Sequence, residues 1–225
     1  MNLSIILPIL NEQEGIGDSI SDVLKYAKYF SKFEIVAVND GSKDKTLSIL
    51  KKLQNKNKKI KIVNHKTNKG YGAALRSGIK NSSYDWVFFT DADMQFDIKE
   101  LLGFLPYTKY FDFIVGYRKG RADSPKVKFR SWVYNRMVRT LFGLPLKDVD
   151  CAFKLMKKSA VSKISTSSNS FFISAELMTK AHRKRIKIKE IGVQHLPRRK
   201  GKSTVTIKRV MYTIFDLIKL RLSYI

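Results

Sequence analysis

Acidic residues are scarce in this chain of 225 residues: 19 Asp and Glu stand against 44 Lys and Arg, a formal net charge of +25. So large an imbalance points to a polyanionic partner, whether nucleic acid, an anionic membrane surface or a phosphorylated substrate. Cysteine is almost absent. The single Cys151 excludes an internal disulfide and fits a reducing compartment. No His lies near it in sequence, so it reads as a small buried hydrophobe rather than a nucleophile. Long apolar runs are missing too: no stretch reaches the roughly 18 residues that a membrane-spanning helix requires. Met1-Asn2 leads directly into Leu3–Leu7 with neither a basic start nor an h-region, so no secretory signal is expected and the protein reads as cytoplasmic. Hydrophobic residues make up 44% of the chain, ample for a core, which excludes wholesale disorder. The length suits one domain, with or without a C-terminal appendage.

What is present is an alternation. Leu3–Leu7, Phe33–Val38, Ile60–Val63, Trp86–Phe89 and Phe111–Val115 are short apolar runs of the kind that form buried parallel strands. Between the first two, Ile16, Ile20, Val23, Leu24 and Ala27 recur at helical spacing, and Leu47, Leu50 and Leu53 do so after the second. This pattern predicts βαβ units and an α/β fold with a mostly parallel, helix-flanked sheet. The second half predicts an amphipathic helix over Ser131–Phe142 ended by Gly143, a strand at Ala152–Met156, a helix around Phe171–Arg183 and a strand at Ile186–Val193. From Val205 onward a further amphipathic helix is expected.

Chemistry concentrates where those strands end. Thr90-Asp91-Ala92-Asp93-Met94-Gln95 follows the fourth apolar run, delivering two carboxylates and an amide oxygen to the sheet rim where open α/β folds bind ligands. Such donors suit a hard divalent cation that keeps room for phosphate oxygens. Taken alone, Asp-x-Asp reads equally well as a solvated turn. Pro8-Ile9-Leu10-Asn11-Glu12 closes the first strand and Val38-Asn39-Asp40-Gly41-Ser42-Lys43-Asp44 the second. Asp40 can accept from a base or ribose hydroxyl, although Asn-Asp-Gly-Ser is also an ordinary turn or helix cap. Asn68-Lys69-Gly70-Tyr71-Gly72 opens a helix like a phosphate cradle, without Walker or dinucleotide spacing.

In order along the chain, Pro-x-x-Asn-Glu, Asn-Asp-Gly-Ser-x-Asp, Lys-Gly-x-Gly-x-Ala and Asp-Ala-Asp-Met-Gln make a combined signature. With Gly116-Tyr117-Arg118, Asp148-Val149-Asp150-Cys151-Ala152-Phe153-Lys154, Arg198 and Gly201-Lys202-Ser203, the chain resembles the family 2 glycosyltransferases of GT-A fold from about Leu3 to Ser203. Within them it looks most like the dolichol-phosphate mannosyltransferase, or polyprenyl-phosphate, branch. The resemblance implies a GT-A domain over 1–203, with a nucleotide-sugar half (1–116) and an acceptor half (117–203), and a tail helix over 204–225.

It also implies site residues. Pro8, Leu10, Asn11, Glu12, Val38, Asp40, Gly70, Asp91, Ala92, Asp93, Gln95 and Arg118 would bind the nucleotide sugar. Asp91, Asp93 and Gln95 would hold Mg²⁺ or Mn²⁺, and Asp91, Asp93 and Arg118 would act in catalysis. Arg118, Arg130, Arg198, Lys202 and Ser203 would engage the acceptor phosphate. The expected reaction is inverting transfer from a GDP-mannose or UDP-glucose type donor to a dolichyl or undecaprenyl phosphate. Two departures stand out: Asn39 where relatives often carry Asp, which leaves base preference open, and Ala152 where many carry Gly.

Relatives that glycosylate hydroxyls use a carboxylate base within a late Glu-Asp pair, and this chain contains no Glu-Asp pair. Glu176 is the acid nearest that place, and it reads as a helix residue paired with a neighbouring cation. A phosphate acceptor is already ionised, so the missing base favours it. The alternatives are a glycan or soluble hydroxyl acceptor and, more remotely, a non-enzymatic nucleic-acid binder; no nucleic-acid module is recognisable, so none is expected as partner. The basic, aromatic helices suggest a peripheral position on the cytoplasmic face of a membrane, against an anionic surface or a membrane-protein partner, unless they simply pack on the domain. His65 and His195 read as structural and His182 as solvated.

Overall fold

The structure, a computed structural model, describes residues 1–197 together with 216, 217 and 220–222. Strands β1 (Asn2–Ile9), β2 (Lys32–Asp40), β3 (Ile60–His65), β4 (Trp86–Thr90), β5 (Phe113–Lys119), β6 (Phe153–Lys157) and β7 (Ile188–Gln194) form one sheet in the order β3-β2-β1-β4-β6-β5-β7. Leu3, Ile5, Ile6 and Leu7 are all buried, so both faces of β1 are covered, as the unbroken apolar run predicts. Helix α1 (Ile16–Ala27) turns Ile16, Ile20, Val23 and Ala27 inward. Helices α2 (Thr46–Lys56) and α3 (Tyr71–Asn81) complete the βαβ units.

Every strand but one runs the same way. β6 pairs antiparallel with both β4 and β5, while β5 and β7 pair in parallel. The C-terminal ends of β1, β2, β4 and β5 therefore share one rim. Thr90 at the end of β4 lies opposite Phe153 at the start of β6, which brings the segment Asp148–Ala152 to that rim beside Asp91. Phe153 also anchors the core beneath, with Phe88 and Phe104 edge-on to it at 4.7 and 5.2 Å.

Three elements differ from the sequence reading. β5 begins and ends later than the apolar run, because β7 supplies main-chain partners through Tyr117, Arg118 and Lys119. A 3₁₀ segment, Ile98–Lys109, was not expected; Ile98, Leu101 and Phe104 fall three apart and all point inward, the period of that helix. Helix α4 spans Pro125–Phe142, starting a turn and a half before the predicted Ser131 because Pro125 takes the first helical position. Its end is as expected, at Gly143 in the left-handed conformation (φ 64°). A single turn, α5 (Lys158–Val161), and helix α6 (Ile173–Arg183) lead to β7. Of the tail helix expected at 204–225, only the five residues named above are described; Leu217 and Leu220 among them are buried with the core. No helix among the described residues is long and apolar enough to cross a membrane.

Candidate active site

Two rim loops are laced together. The Asn11 amide donates to Ser42 Oγ (2.9 Å) and Asn11 Oδ1 accepts from the Lys43 amide (2.9 Å). The Glu12 amide donates to Thr46 Oγ1 (2.9 Å), and Gln13 and Asp44 cross-bond the same pair of loops. Asn11 itself has φ 54°, a left-handed conformation that Asn tolerates. These bonds fix Leu10, Asn11 and Glu12 against the Gly41–Lys45 turn. Pro8 and Leu10 are half-buried, whereas Val38 is fully buried and offers a ligand only its main chain.

Asp40 has an unexpected set of partners. Its carboxylate, 3% exposed, accepts from the amides of Lys69 (2.9 Å) and Gly70 (2.8 Å) and bonds His65 Nδ1 (2.7 Å). His65 Nε2 in turn meets Ser77 Oγ at 2.9 Å, so both ring nitrogens are satisfied and the histidine is structural. Asp40 thus shapes the turn that carries Gly70. That turn leaves no room for a side chain: Gly70 has φ 96°, and a Cβ there would collide with the Asn169 carbonyl.

The carbonyl belongs to the loop 165–172, which packs across the start of α3. Arg76 donates to the Ser168 carbonyl and to Asn169 Oδ1, and the Phe171 ring lies 5.0 Å from that of Tyr71. Glu176 holds the loop from below. It is 2% exposed and accepts from the amides of Ser167 (3.0 Å) and Ser168 (2.9 Å) and from Lys180 Nζ (2.6 Å). Burial raises its pKa, but these donors win and the carboxyl is held below its usual range. The expected pairing with a neighbouring cation is what the structure shows.

Asp91 and Asp93 follow β4 directly. Asp91 is half-buried and accepts from the Tyr71 hydroxyl at 2.9 Å; Asp93 is 6% exposed and accepts from the Gln95 amide at 3.2 Å. Met94 between them and Gln95 has φ 57°, rare for a side-chain-bearing residue and a local strain of about 1–3 kcal/mol. Gln95 donates its side-chain amide to the Leu196 carbonyl (3.2 Å), which ties the loop to the strand beyond β5. Among the described residues, no three His, Cys, Asp or Glu side chains form a group able to hold a metal unaided. Two carboxylates and an amide oxygen fit an ion that takes its remaining ligands from a substrate diphosphate and water, the habit of Mg²⁺ and Mn²⁺.

Burial pushes the Tyr71 phenol upward, and the charges of Asp91, Asp93 and Asp150 add to the effect. Of these acids, Asp91 is the one that the hydroxyl touches. Replacing Tyr71 by Phe removes the donor that orients Asp91. A tenfold or greater loss in apparent metal or donor affinity is expected, by the roughly 10- to 100-fold cost of losing a ligand-orienting bond. Titrating Mn²⁺ at saturating donor measures it, and an unchanged midpoint contradicts the role.

Asp150 stands in the Asp148–Lys154 motif, but the sequence reading gave it no role. It lies one residue before buried Cys151, at the rim by virtue of the β4–β6 register. Burial pushes its carboxyl up to about 7; Asp148 adds to the rise, while Arg118, Lys154 and Arg121 oppose it. Beside it, Arg118 Nε and Nη2 bond both oxygens of Asp148, at 2.6 and 2.8 Å. Burial acts against both charges, yet this two-point pair keeps Arg118 protonated and Asp148 below its usual range. Arg118 Nη1 makes no bond to a described residue. Burial pushes the Cys151 thiol up to about 12, so it is inert as a nucleophile.

The structure thus brings Asp91, Ala92, Asp93 and Gln95 to one rim with Leu10–Glu12, Asp40 and Gly70, and sets Arg118 beside the incoming Asp148–Asp150 segment. Arg130 stands exposed on α4. Arg198, Lys202 and Ser203 lie outside the described residues. His182 is exposed; His195 is buried, edge-on to Phe96 at 5.4 Å.

Comparison with known proteins follows the same lines. The family model described as "Glycosyl transferase family 2" matches residues 4–165. A dodecaprenyl-phosphate galacturonate synthase of Rhizobium johnstonii is 28% identical over 97% of this chain and 66% of its own. A dolichyl-phosphate beta-glucosyltransferase of Saccharomyces cerevisiae is 28% identical over 99% of this chain and 75% of its own. The chain accordingly spans about two thirds to three quarters of these relatives. Glucosyl-3-phosphoglycerate synthase of Mycobacterium tuberculosis, solved with Mn²⁺, UDP-glucose and phosphoglyceric acid, superposes with a TM-score of 0.71 at 16% identity, covering 99% of this chain and 79% of that one. That likeness shows the GT-A fold. With the family model covering most of the chain and the rim motifs assembled in one place, this protein belongs to glycosyltransferase family 2.

Proposed function

We propose that the protein moves a sugar from a nucleoside diphosphate, of the GDP-mannose or UDP-glucose type, to a polyprenyl phosphate, inverting the anomeric carbon. One observation carries the reading: Asp91 and Asp93 follow the end of β4 on the rim where the Asp40-bonded Gly70 turn and the Leu10–Glu12 loop also lie, in a chain whose curated relatives carry polyprenyl-phosphate transferase names. Pro8, Leu10, Asn11, Glu12 and the Val38 main chain line the nucleoside side. Asp40 acts by holding the Gly70 amide and the turn in place. Asp91, Asp93 and Gln95 would hold a Mg²⁺ or Mn²⁺ ion. When bound, the ion supplies Lewis-acid stabilisation of the leaving diphosphate, worth several kcal/mol.

A lipid phosphate oxygen attacks the anomeric carbon as the bond from that carbon to the diphosphate oxygen breaks. The products are a glycosyl phosphate lipid and a nucleoside diphosphate, and no proton needs removal. Arg118, through Nη1, and Arg130, Arg198, Lys202 and Ser203 would position the acceptor phosphate. The first half of the domain, to residue 116, serves the donor, and 117–203 the acceptor. We place the protein on the cytoplasmic face of a membrane. The test is a panel of nucleotide sugars offered with undecaprenyl and dolichyl phosphate and scored for glycolipid. Product with at least one pair supports the reading, and product only with hydroxyl acceptors overturns it.

One observation favours a second reading. Asp150 lies at the rim through the β4–β6 register, and burial pushes its carboxyl up to about 7, near the pH where a general base is most effective, so a hydroxyl acceptor would find the proton acceptor that the absent Glu-Asp pair withholds. The two readings separate by pH. Because the folded pKa of Asp150 is raised, its protonated form favours the fold, and stability is lost as pH rises from about 4, the unfolded value, to about 7. Asp150→Asn is expected to melt close to the parent at pH 5 and above it at pH 8. Under the phosphate-acceptor reading it keeps turnover at pH 8; loss of a rising pH limb in turnover supports the hydroxyl reading instead.

A further inference from the structure

Helix α4 turns unusual residues to solvent. Its inward side carries Asn135 and Val138; on the opposite side Phe129 and Trp132 are 65% and 63% exposed, their rings stacked 6.1 Å apart. Arg136 follows one turn further along the same stripe, with Lys128 and Arg139 at its edge, all exposed. An ordinary amphipathic helix hides its aromatics and shows its charges; this one shows both.

The stripe forms one wall of a cleft of about 350 Å³ between α4 and the end of β5, where Trp132, Lys128, Arg136, Arg139 and Lys147 line it together with Arg118. Lys147 Nζ rests 4.7 Å above the Tyr117 ring. None of Lys128, Arg136, Arg139 and Lys147 makes an ion pair with a described acid. Asp148, the carboxylate on the cleft wall, is already neutralised by Arg118. The cleft is therefore strongly cationic and large enough for a phosphate-bearing headgroup.

We infer that this face of α4 is where the protein sits on an anionic bilayer. Phe129 and Trp132 enter the boundary between headgroups and acyl chains, and Lys128, Arg136, Arg139 and Lys147 hold lipid phosphates around them. Exposed ring pairs flanked by unpaired cations match the chemistry of that boundary, where aromatic rings settle at headgroup depth and each near-surface cation adds affinity. The inference deepens the proposed function, since it rests on a membrane lipid as acceptor. Stacked aromatics among cations also suit single-stranded nucleic acid; the absence of a recognisable nucleic-acid module favours the lipid, and the test includes that rival.

The full chain is floated with phosphatidylcholine vesicles, with or without about a third phosphatidylglycerol, in the absence of nucleotide sugar and metal. Binding to the anionic vesicles is expected, with a blue shift in emission from Trp132; the only other tryptophan, Trp86, sits in β4. Trp132→Phe should keep binding and lose the shift. Phe129→Ser with Trp132→Ser should weaken partitioning at least tenfold. Arg136→Gln with Arg139→Gln should weaken binding to the anionic vesicles roughly 30-fold, at about 1 kcal/mol per cation, and shrink the preference for anionic lipid accordingly. Equal binding to both vesicles, binding without a Trp132 shift, or tighter binding to a single-stranded oligonucleotide than to vesicles overturns the inference. Transfer to a short, water-soluble prenyl phosphate should survive Phe129→Ser, which lies outside the cleft. A chain that docks yet transfers sugar to no acceptor removes the proposed function and leaves the docking surface standing.

Discussion

Asp93→Asn is expected to lower turnover by about a hundredfold to a thousandfold, a loss of roughly 3–4 kcal/mol of transition-state stabilisation. The substitution keeps the shape of the side chain, and its Oδ1 can still accept from the Gln95 amide. What it removes is one of the two negative charges that the proposed cation would share with a diphosphate. The melting temperature should move little, since the variant gives up a buried carboxylate and gains an amide of equal size. The signature is a fall in turnover together with a higher metal requirement. Full turnover, or turnover undiminished in excess chelator, removes the metal-assisted account.

Glu176→Ala should be the most damaging change to stability. The carboxylate is almost wholly buried and receives two backbone amides, a hydroxyl and an ammonium. Removing it orphans those donors, including the Lys180 charge, at an expected cost of about 3–5 kcal/mol. For a domain of this size that is a fall of roughly 6–20 °C in melting temperature. The loop it braces also packs on Gly70 and Tyr71, so the donor KM should rise. Because the folded pKa is lowered, the stabilisation is fully present above the unfolded value and disappears as pH falls through the folded one. The difference between parent and Glu176→Gln should therefore shrink under acid conditions. If Glu176→Gln instead melts like the parent but loses a carboxylate limb from its rate profile, Glu176 is a general base and the structural role fails.

The parallel strands were legible because strands covered on both faces need unbroken apolar runs, and Leu3–Leu7 and Trp86–Phe89 supply them. Strands whose pairing is main-chain only leave no such trace. β5 continues through Tyr117-Arg118-Lys119 because β7 lies alongside, and nothing in those residues announces it. The motifs located the rim for the same reason: Asp, Asn and Gly gather where strands end. They could not say which lone pairs the protein itself consumes. Asp40 reads as a ligand contact, yet two amides and His65 occupy it; Arg118 reads as an open cation, yet two of its nitrogens belong to Asp148. Asp150 needed the β4–β6 register before it could be placed near Asp91 at all. Its neighbours in sequence, Val149 and Cys151, are simply buried. The outward face of α4 was legible only in part. The basic, aromatic helix expected over Ser131–Phe142 suited either a membrane surface or packing on the domain, and the burial of Asn135 and Val138 shows which side is outward and adds Phe129 to it.

Calorimetric titration of GDP and UDP into the protein, with Mn²⁺ and then with excess chelator, goes most directly to the account. At least one nucleotide should bind with Mn²⁺, lose most of its affinity in chelator, and bind Asp93→Asn weakly in both. Equal affinity with and without the metal, or an Asp93→Asn chain that binds like the parent, would mean that the two aspartates on the rim do not grip a cation against a diphosphate.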